Sequence, residues 1–231
     1  MSMPHRYALN IKGLEYKTKW IQFPDVEPVL KKLGAVPTTK KPDGSDMYTL
    51  PTIYDPNTKE VVSDSFVIAQ YLDETYPDTH KLIPAGTDAL QAAYHDFIWS
   101  SEVGVPFFMV LMAATCGRLL SPSSEYVRTT REPLFGVKLE ELSTEEQWKK
   151  VEAGLDKLNS YLEKNGKGND LLILGAQNGI TFSDLQLAGL FMWAKVALGE
   201  NSEKFKMLLG LNGGKWGRFF AQFSKYEHVD F

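Results

Sequence analysis

The residues best placed to do chemistry in this 231-residue chain are a proline inside a strand-like run and an Asp-Ser pair ahead of a helix-like one. Both lie in MYTLPTIYDPNTKEVVSDSFVIAQYLDETYP, residues 47–77. Residues 48–54 alternate apolar and small polar side chains as a short strand does, and Pro51 cannot donate to a ladder, so it marks an edge or an opened backbone. About a dozen residues later Asp64-Ser65 precedes FVIAQYLDETY, whose Phe66, Ile68, Ala69 and Leu72 recur at helical spacing. Ser65 or its neighbour then caps a helix. A helix N-terminus offers free N–H groups and partial positive charge to a carboxylate, while Asp64 beside it can hold an ammonium. One amino-acid head group satisfies both. If the Leu50-Pro51 bond is cis, the Leu50 N–H and C=O face outward and can pair with a peptide backbone as a short added strand. A small γ-glutamyl peptide fits these features.

Two elements must hold these residues together. DPNTK, residues 55–59, carries turn chemistry, since proline presets the first turn dihedral and asparagine tolerates the second. Residues 60–63 then read as a return strand leading straight into Asp64.

An L-P step followed by D-S-x-x-I-x-x-Y-L-x-x-x-Y-P resembles the glutathione site of the glutathione transferase family. The resemblance implies that Leu50 pairs with the cysteinyl backbone of glutathione, that Pro51 is the family's cis-proline, and that Asp64 with Ser65 holds the γ-glutamyl end. Each residue alone also has a plain structural reading: X-Pro bonds in folded proteins are cis only about 5% of the time, and a serine before a helix is usually just a cap. Their combination on this spacing favours the functional reading.

Composition excludes several classes. With 43% apolar and 23% charged residues the chain is an ordinary globular protein of one or two domains. A net charge of −4 and a pI near 5.6, with no basic stripe interleaved with aromatics, argue against nucleic acid as a partner. No leader pattern opens the chain and a lone cysteine excludes internal disulfides, so a cytoplasmic location is expected. Cys116 reads as a small buried hydrophobe. The longest apolar run, residues 105–116, contains Pro106 and falls short of the roughly 20 residues a bilayer needs, so no membrane association is expected. Four scattered histidines give no basis for a metal site.

From the start, PHRYALNIK reads as a helix ended by Gly13, and residues 15–23 (EYKTKWIQF) alternate as a strand. A parallel β-α-β unit needs a strand before its helix. The family's first domain is thioredoxin-like and opens with such a strand and a loop carrying a catalytic Tyr, Ser or Cys. By the resemblance, the segment around Arg6-Tyr7-Ala8-Leu9 is the helix after that strand, so the expectation is a truncated chain whose first strand and thiol-activating residue are missing. Ser2 is the one hydroxyl residue ahead of the helix, but a disordered start is the preferred reading there. Residues 25–34 read as a second helix closed by Gly34, with Pro28 in its first turn. The loop after it carries Lys40 and Lys41, either of which could reach the glycyl carboxylate of glutathione, with solvated surface lysines preferred.

Past Pro77 the chemistry is that of a linker, and from Asp88 every clear pattern is helical. The expected organisation is an α/β thioredoxin-like domain over residues 1–85, its first strand missing, and an all-α domain over residues 86–231. Residues 90–120 read as one long helix bent near Gly104 and Pro106. In the family the corresponding helix contributes to a homodimer contact and walls the pocket for a hydrophobic substrate, which makes Phe107, Phe108, Met109 and Met112 candidate wall residues, with core packing the alternative for each. Within residues 121–144, Tyr126, Arg128, Arg131-Glu132, Phe135-Gly136 and Leu139-Glu140-Glu141 are similar to the fungal FuA class, related to bacterial lignin etherases. Trp148, Val151, Leu155, Leu158 and Leu162 fall on one face of an amphipathic helix. Thr181-Phe-Ser-Asp184 reads as a capping box, with Ile180 stapled to Leu185, opening a helix that is apolar nearly all round. Both box residues are expected to be structural. Residues 202–211 and 214–226 read as closing helices.

The function implied by the resemblance is glutathione conjugation or exchange on hydrophobic or aromatic electrophiles, in detoxification or on lignin-derived phenolics. The alternatives are a non-catalytic glutathione and aromatic-ligand binder, or a scaffold that reuses the fold.

Overall fold

The structure, a computed structural model, describes residues 4–41 and 43–230, so Ser2 lies outside the described residues. Helix α1, Pro4–Lys12, ends where Gly13 takes φ 65°, and Leu14 N–H closes onto Leu9 O at 3.0 Å. Helix α2, Val26–Leu33, ends on the left-handed Gly34 as its sequence requires. Two small antiparallel sheets follow: β1, Thr39–Lys40, on β2, Asp46–Met47, and β3, Thr52–Asp55, on β4, Glu60–Ser63. Register in the second sets Thr52 opposite Ser63 and Asp55 opposite Glu60. Asp55 organises the hairpin end: Oδ1 accepts the Asn57 N–H at 2.9 Å, and Oδ2 accepts the hydroxyls of Tyr71 and Tyr76 at 2.8 and 2.5 Å. Both tyrosines belong to the segment formed by α3, Ser65–Thr75, and its C-cap, so the helix is pinned to the hairpin it follows.

The strand expected over residues 15–23 is not formed. Residues 14–22 have no regular secondary structure, and residue 23 begins a short 3-10 turn, Phe23–Asp25. The physical reason is partnership: alternation makes a segment fit to be a strand, but a ladder needs a neighbour, and among the described residues none lies beside this one. Side chains take over part of the work, with Thr18 N–H donating to Asp230 Oδ1 at 2.6 Å and Phe23 N–H donating to Ser123 Oγ at 2.9 Å.

The helical part comprises α4, Asp88–Ile98; α5, Gly104–Cys116; α6, Ser121–Phe135; α7, Glu145–Leu162; α8, Phe182–Leu198; and α9, Glu203–Ala221, which is interrupted by non-helical residues from Leu211 to Gly214. The single long helix expected over residues 90–120 is instead α4 and α5, with a break between them. Gly104 packs back on the end of α4 so tightly that a Cβ there would meet Ile98 O at 2.6 Å, and Pro106 sits in the first turn of α5, where its missing N–H costs little. Residues 121–135, polar in sequence, form α6 on the surface, its Arg128 paired with Glu132 and Glu140. Cys116 is buried.

Helix α8 is buried on nearly every side, as a helix apolar all round must be. Helices α4, α5, α9 and the first-domain helix α1 all pack on it, and Pro4 approaches so closely that a Cβ on Gly189 would lie 2.8 Å from its Cγ. The box at its start forms: Asp184 Oδ2 accepts the Thr181 N–H and hydroxyl, each at 2.8 Å, and Oδ1 accepts the Ile173 N–H at 2.8 Å. Burial pushes the Asp184 carboxyl up to about 6, against those three hydrogen bonds.

The stretch between the two parts is fastened from both sides. Asp73 on α3 receives the buried Lys12 ammonium at 2.8 Å and the N–H groups of Leu82 and Ile83. The Leu82 carbonyl in turn accepts Phe182 N–H at 2.8 Å and the Gln91 side-chain amide at 3.3 Å.

Candidate functional site

The Leu50-Pro51 peptide bond is cis. Leu50 is half-exposed, and among the described residues its N–H and C=O make no backbone hydrogen bond. Hydroxyls hold the loops around it: Thr38 to Thr49 at 2.7 Å and Thr52 to Ser63 at 2.8 Å. The Thr52-Ser63 bond crosses between facing residues at the open end of the β3-β4 hairpin, next to both Pro51 and Asp64.

Asp64 is the cap of α3, in the left-handed region at φ 80°. Its Oδ1 accepts Phe66 N–H at 2.8 Å and Val67 N–H at 3.2 Å, and its own N–H donates to Pro51 O at 3.2 Å. Among the described residues Oδ2 accepts nothing and no bond engages the Ser65 hydroxyl. The structure therefore brings Pro51, Asp64 and Ser65 into one turn, where among the described residues Asp64 Oδ2 and the Ser65 N–H and hydroxyl stay open at a helix N-terminus whose next two N–H groups Oδ1 already takes. That arrangement can take an ammonium and a carboxylate from one ligand.

Lys40 and Lys41 are already paired, Lys40 with Asp46 and Lys41 with Glu27. Glu27 also takes Lys31 at 2.8 Å, and hydrogen bonds from Lys31 and Lys41 hold its carboxyl down at about 2. A cleft of about 340 Å³ opens there between α2, β2 and α6, lined by Phe23, Tyr48 and Tyr126 among others.

The candidate wall residues separate. Phe107 is fully buried against Phe191 in the main core. Phe108 and Met109, both partly exposed, join the buried Met112 in a second cluster with Phe135 and Trp193. Thr181 and Asp184 are wholly buried and touch no open surface.

One group of residues near Asp64 lies outside what sequence reasoning singles out. Gln91, His95 and Trp99 recur every fourth position along α4 and its C-cap, facing α8. Gln91 Oε1 accepts Ser183 N–H at 2.9 Å, the His95 ring lies 5.6 Å from that of Phe182, and Trp99 Nε1 donates to Gln186 Oε1 at 3.2 Å. The i, i+4 spacing of three polar-capable side chains is the signal that could have found them. Among the described residues no group of three or more candidate ligands could hold a metal ion, and no helix is long and apolar enough to cross a membrane.

Two family models match the chain, the N-terminal domain of glutathione S-transferase over residues 2–75 and its C-terminal domain over residues 89–226. The chain belongs to the glutathione S-transferase family. It is similar at 57% identity to glutathione transferase GSTFuA2 from Phanerochaete chrysosporium, with a TM-score of 0.97 over 99% of this chain and 90% of that one. A glutathione S-transferase of Ceriporiopsis subvermispora, solved in complex with glutathione, is 40% identical, with a TM-score of 0.92 over 98% of this chain and 90% of that one. A glutathione S-transferase-like protein of Aspergillus flavus, ustS, is 33% identical over 182 residues; the match covers 71% of this chain and spans 62% of the length of that curated relative.

Proposed function

We propose that this chain is a glutathione transferase that conjugates or exchanges glutathione on hydrophobic or aromatic electrophiles. The observation that carries the reading is the hydrogen bond from Asp64 N–H to Pro51 O, which joins the open Leu50 backbone to the Asp64-Ser65 turn with its free Oδ2 and serine hydroxyl. In this reading Leu50 pairs with the cysteinyl backbone, and Asp64 with Ser65 takes the γ-glutamyl ammonium and carboxylate. The tripeptide's thiol then attacks the electrophile, forming a carbon–sulfur bond as the leaving group departs. A thiol near pKa 8.5 is mostly protonated at neutral pH, so rate depends on a group that stabilises the thiolate. Phe108 and Met109, half-open beside Phe135 and Trp193, are the apolar side chains offered to the electrophile. A cytosolic homodimer is the assembly expected from the family, and sedimentation of the purified chain tests it.

A second reading, a glutathione and aromatic-ligand binder without turnover, is favoured by one observation. Tyr7, the hydroxyl on α1, has its OH buried in the core, away from the surface where a bound thiol would lie, and burial raises the phenol above its ordinary range. Calorimetry with glutathione and a steady-state assay with an activated aryl halide separate the readings. Binding with turnover supports the transferase, binding without turnover the ligand binder, and absence of binding removes both.

A further inference from the structure

The aromatic surface of the helical part has one member whose direction is fixed by a hydrogen bond. Along α8 every residue from Phe182 to Met192 is buried, and Trp193 is the first to reach the surface. Phe108 of α5 meets its indole edge to face, with ring centroids 6.1 Å apart and planes at 67°, and lies 5.8 Å from the ring of Phe135 on α6. Three helices thus place half-buried rings in the same cluster. The first domain joins it through Phe23, which also lines the cleft beside Tyr48, two positions ahead of Leu50. The aromatic surface and the segment leading into the cis-proline therefore meet at one side chain.

An indole at a surface is ordinarily free to turn about its side-chain bonds, and this one is not. Trp193 Nε1–H donates to Thr115 Oγ1 at 2.7 Å, and the Thr115 hydroxyl donates to Leu111 O at 2.8 Å. The threonine proton is committed, so its oxygen is left as an acceptor. Thr115 is itself buried, and turning the indole away would take from that oxygen the donor it faces. With its one polar group engaged there, the rest of the indole is apolar ring. Ring quadrupoles make an aromatic pair in edge-to-face or offset geometry worth more than the area it buries. A saturated group of the same size gains the area alone.

We propose that Trp193 is the specificity-determining residue for the electrophile, favouring an aromatic ring over an aliphatic group of equal size, and that Thr115 is its positioning residue. The inference rests on the reading of the chain as a glutathione binder whose Phe108 and Met109 face the second substrate. It narrows that reading from hydrophobic or aromatic compounds to aromatic ones, and from a cluster to one ring. Phe108 and Phe135 carry no polar atom to fix their direction, whereas the indole is held at a defined angle by Thr115, so the ring a ligand adds to the cluster takes its orientation from Trp193.

Two glutathione S-conjugates isolate the effect, S-benzyl and S-cyclohexylmethyl, which share the tripeptide and the carbon skeleton and differ in ring saturation. Calorimetry on the full chain should give the benzyl conjugate about twofold to tenfold tighter binding, the worth of one aromatic contact beyond its area. Trp193→Leu should bring that ratio to about one, while affinity for glutathione itself stays within about twofold, as expected of a site with no shared partners. Thr115→Val should lower the ratio, and Thr115→Ser, which restores the acceptor, should recover it. A purely structural hydrogen bond would lower the unfolding midpoint of Thr115→Val and leave the ratio alone. The threonine pair decides the matter where Trp193→Leu does not fold. A wild-type ratio of about one, or a ratio that survives Trp193→Leu or Thr115→Val, overturns the proposal while leaving the glutathione reading intact. No binding of glutathione or of either conjugate by wild type overturns both.

Discussion

Asp64 donates its backbone N–H to the Pro51 carbonyl while its side-chain Oδ1 accepts from Phe66 and Val67, so one residue closes the hairpin and starts the helix. Its two roles can be separated. Asp64→Asn keeps an oxygen for the cap and tolerates the left-handed backbone, but removes the charge. Glutathione binding should weaken by about 1.5–3 kcal/mol, the range for a hydrogen bond to a charged group, with little change in stability. Asp64→Ala should lose the same affinity and a further 0.5–2 kcal/mol or so of stability with the cap. Calorimetry beside thermal unfolding distinguishes them; equal affinity for wild type and both variants removes Asp64 from the site.

The Lys12-Asp73 pair has both side chains withdrawn from solvent. Lys12→Met strips the closest countercharge from the buried Asp73 carboxylate and leaves it only Lys81 Nζ at 4.0 Å, so the urea midpoint should fall by up to the equivalent of about 3–5 kcal/mol. The double variant Lys12→Met, Asp73→Asn should recover part of it, because the remaining amide is neutral. A single variant as stable as wild type shows that the pair contributes nothing.

Thr181→Ala should destabilise the chain by about 0.5–2 kcal/mol without altering glutathione affinity per folded molecule. Asp184 adds a pH signature. Its carboxyl, near 6 when folded against an ordinary value of 3.8, makes the folded state bind a proton more strongly than the unfolded one between those values. The contribution of this group is therefore fully present below about 4 and is lost as pH rises through about 6, to the extent of roughly 3 kcal/mol. Denaturation midpoints of wild type minus those of Asp184→Asn, taken from pH 4 to 7, should fall with rising pH; a difference that rises or stays level contradicts the assignment.

Gly154 lies inside α7, where alanine ordinarily improves a helix by up to about 1 kcal/mol. Here a Cβ would run into the Glu102 carbonyl oxygen. Gly154→Ala is expected to destabilise by about 1–3 kcal/mol, an overpacking cost that outweighs propensity. Thermal unfolding gives the sign directly.

Features written locally are the legible ones. The cap at Asp64, the Asp55 turn, the Gly34 stop and the Thr181-Asp184 box each involve groups within a few residues of one another, so spacing and residue type suffice. The alternation of residues 15–23 reports only which side chains could alternate across a sheet; whether a neighbour strand lies alongside is decided elsewhere in space. Likewise the break ahead of Gly104 comes from backbone packing against Ile98 O, which no periodicity records. The contacts of Gln91 and Trp99 depend on Ser183 and Gln186, far along the chain, and are visible only once α4 and α8 are side by side.

The fastening around Leu82 bears on how the molecule comes apart. Its N–H belongs to Asp73 and its carbonyl to Phe182 and Gln91, so neither part can melt without stripping hydrogen bonds from the other. Cooperative loss of both parts in a single transition follows, with far-ultraviolet circular dichroism and tryptophan fluorescence tracing one curve. Every tryptophan except Trp20 lies beyond residue 90, whereas circular dichroism also reports α1 to α3, so the two probes sample different ends of the chain. A thioredoxin-like half that borrows its anchor points from a helical half is, thermodynamically, one body.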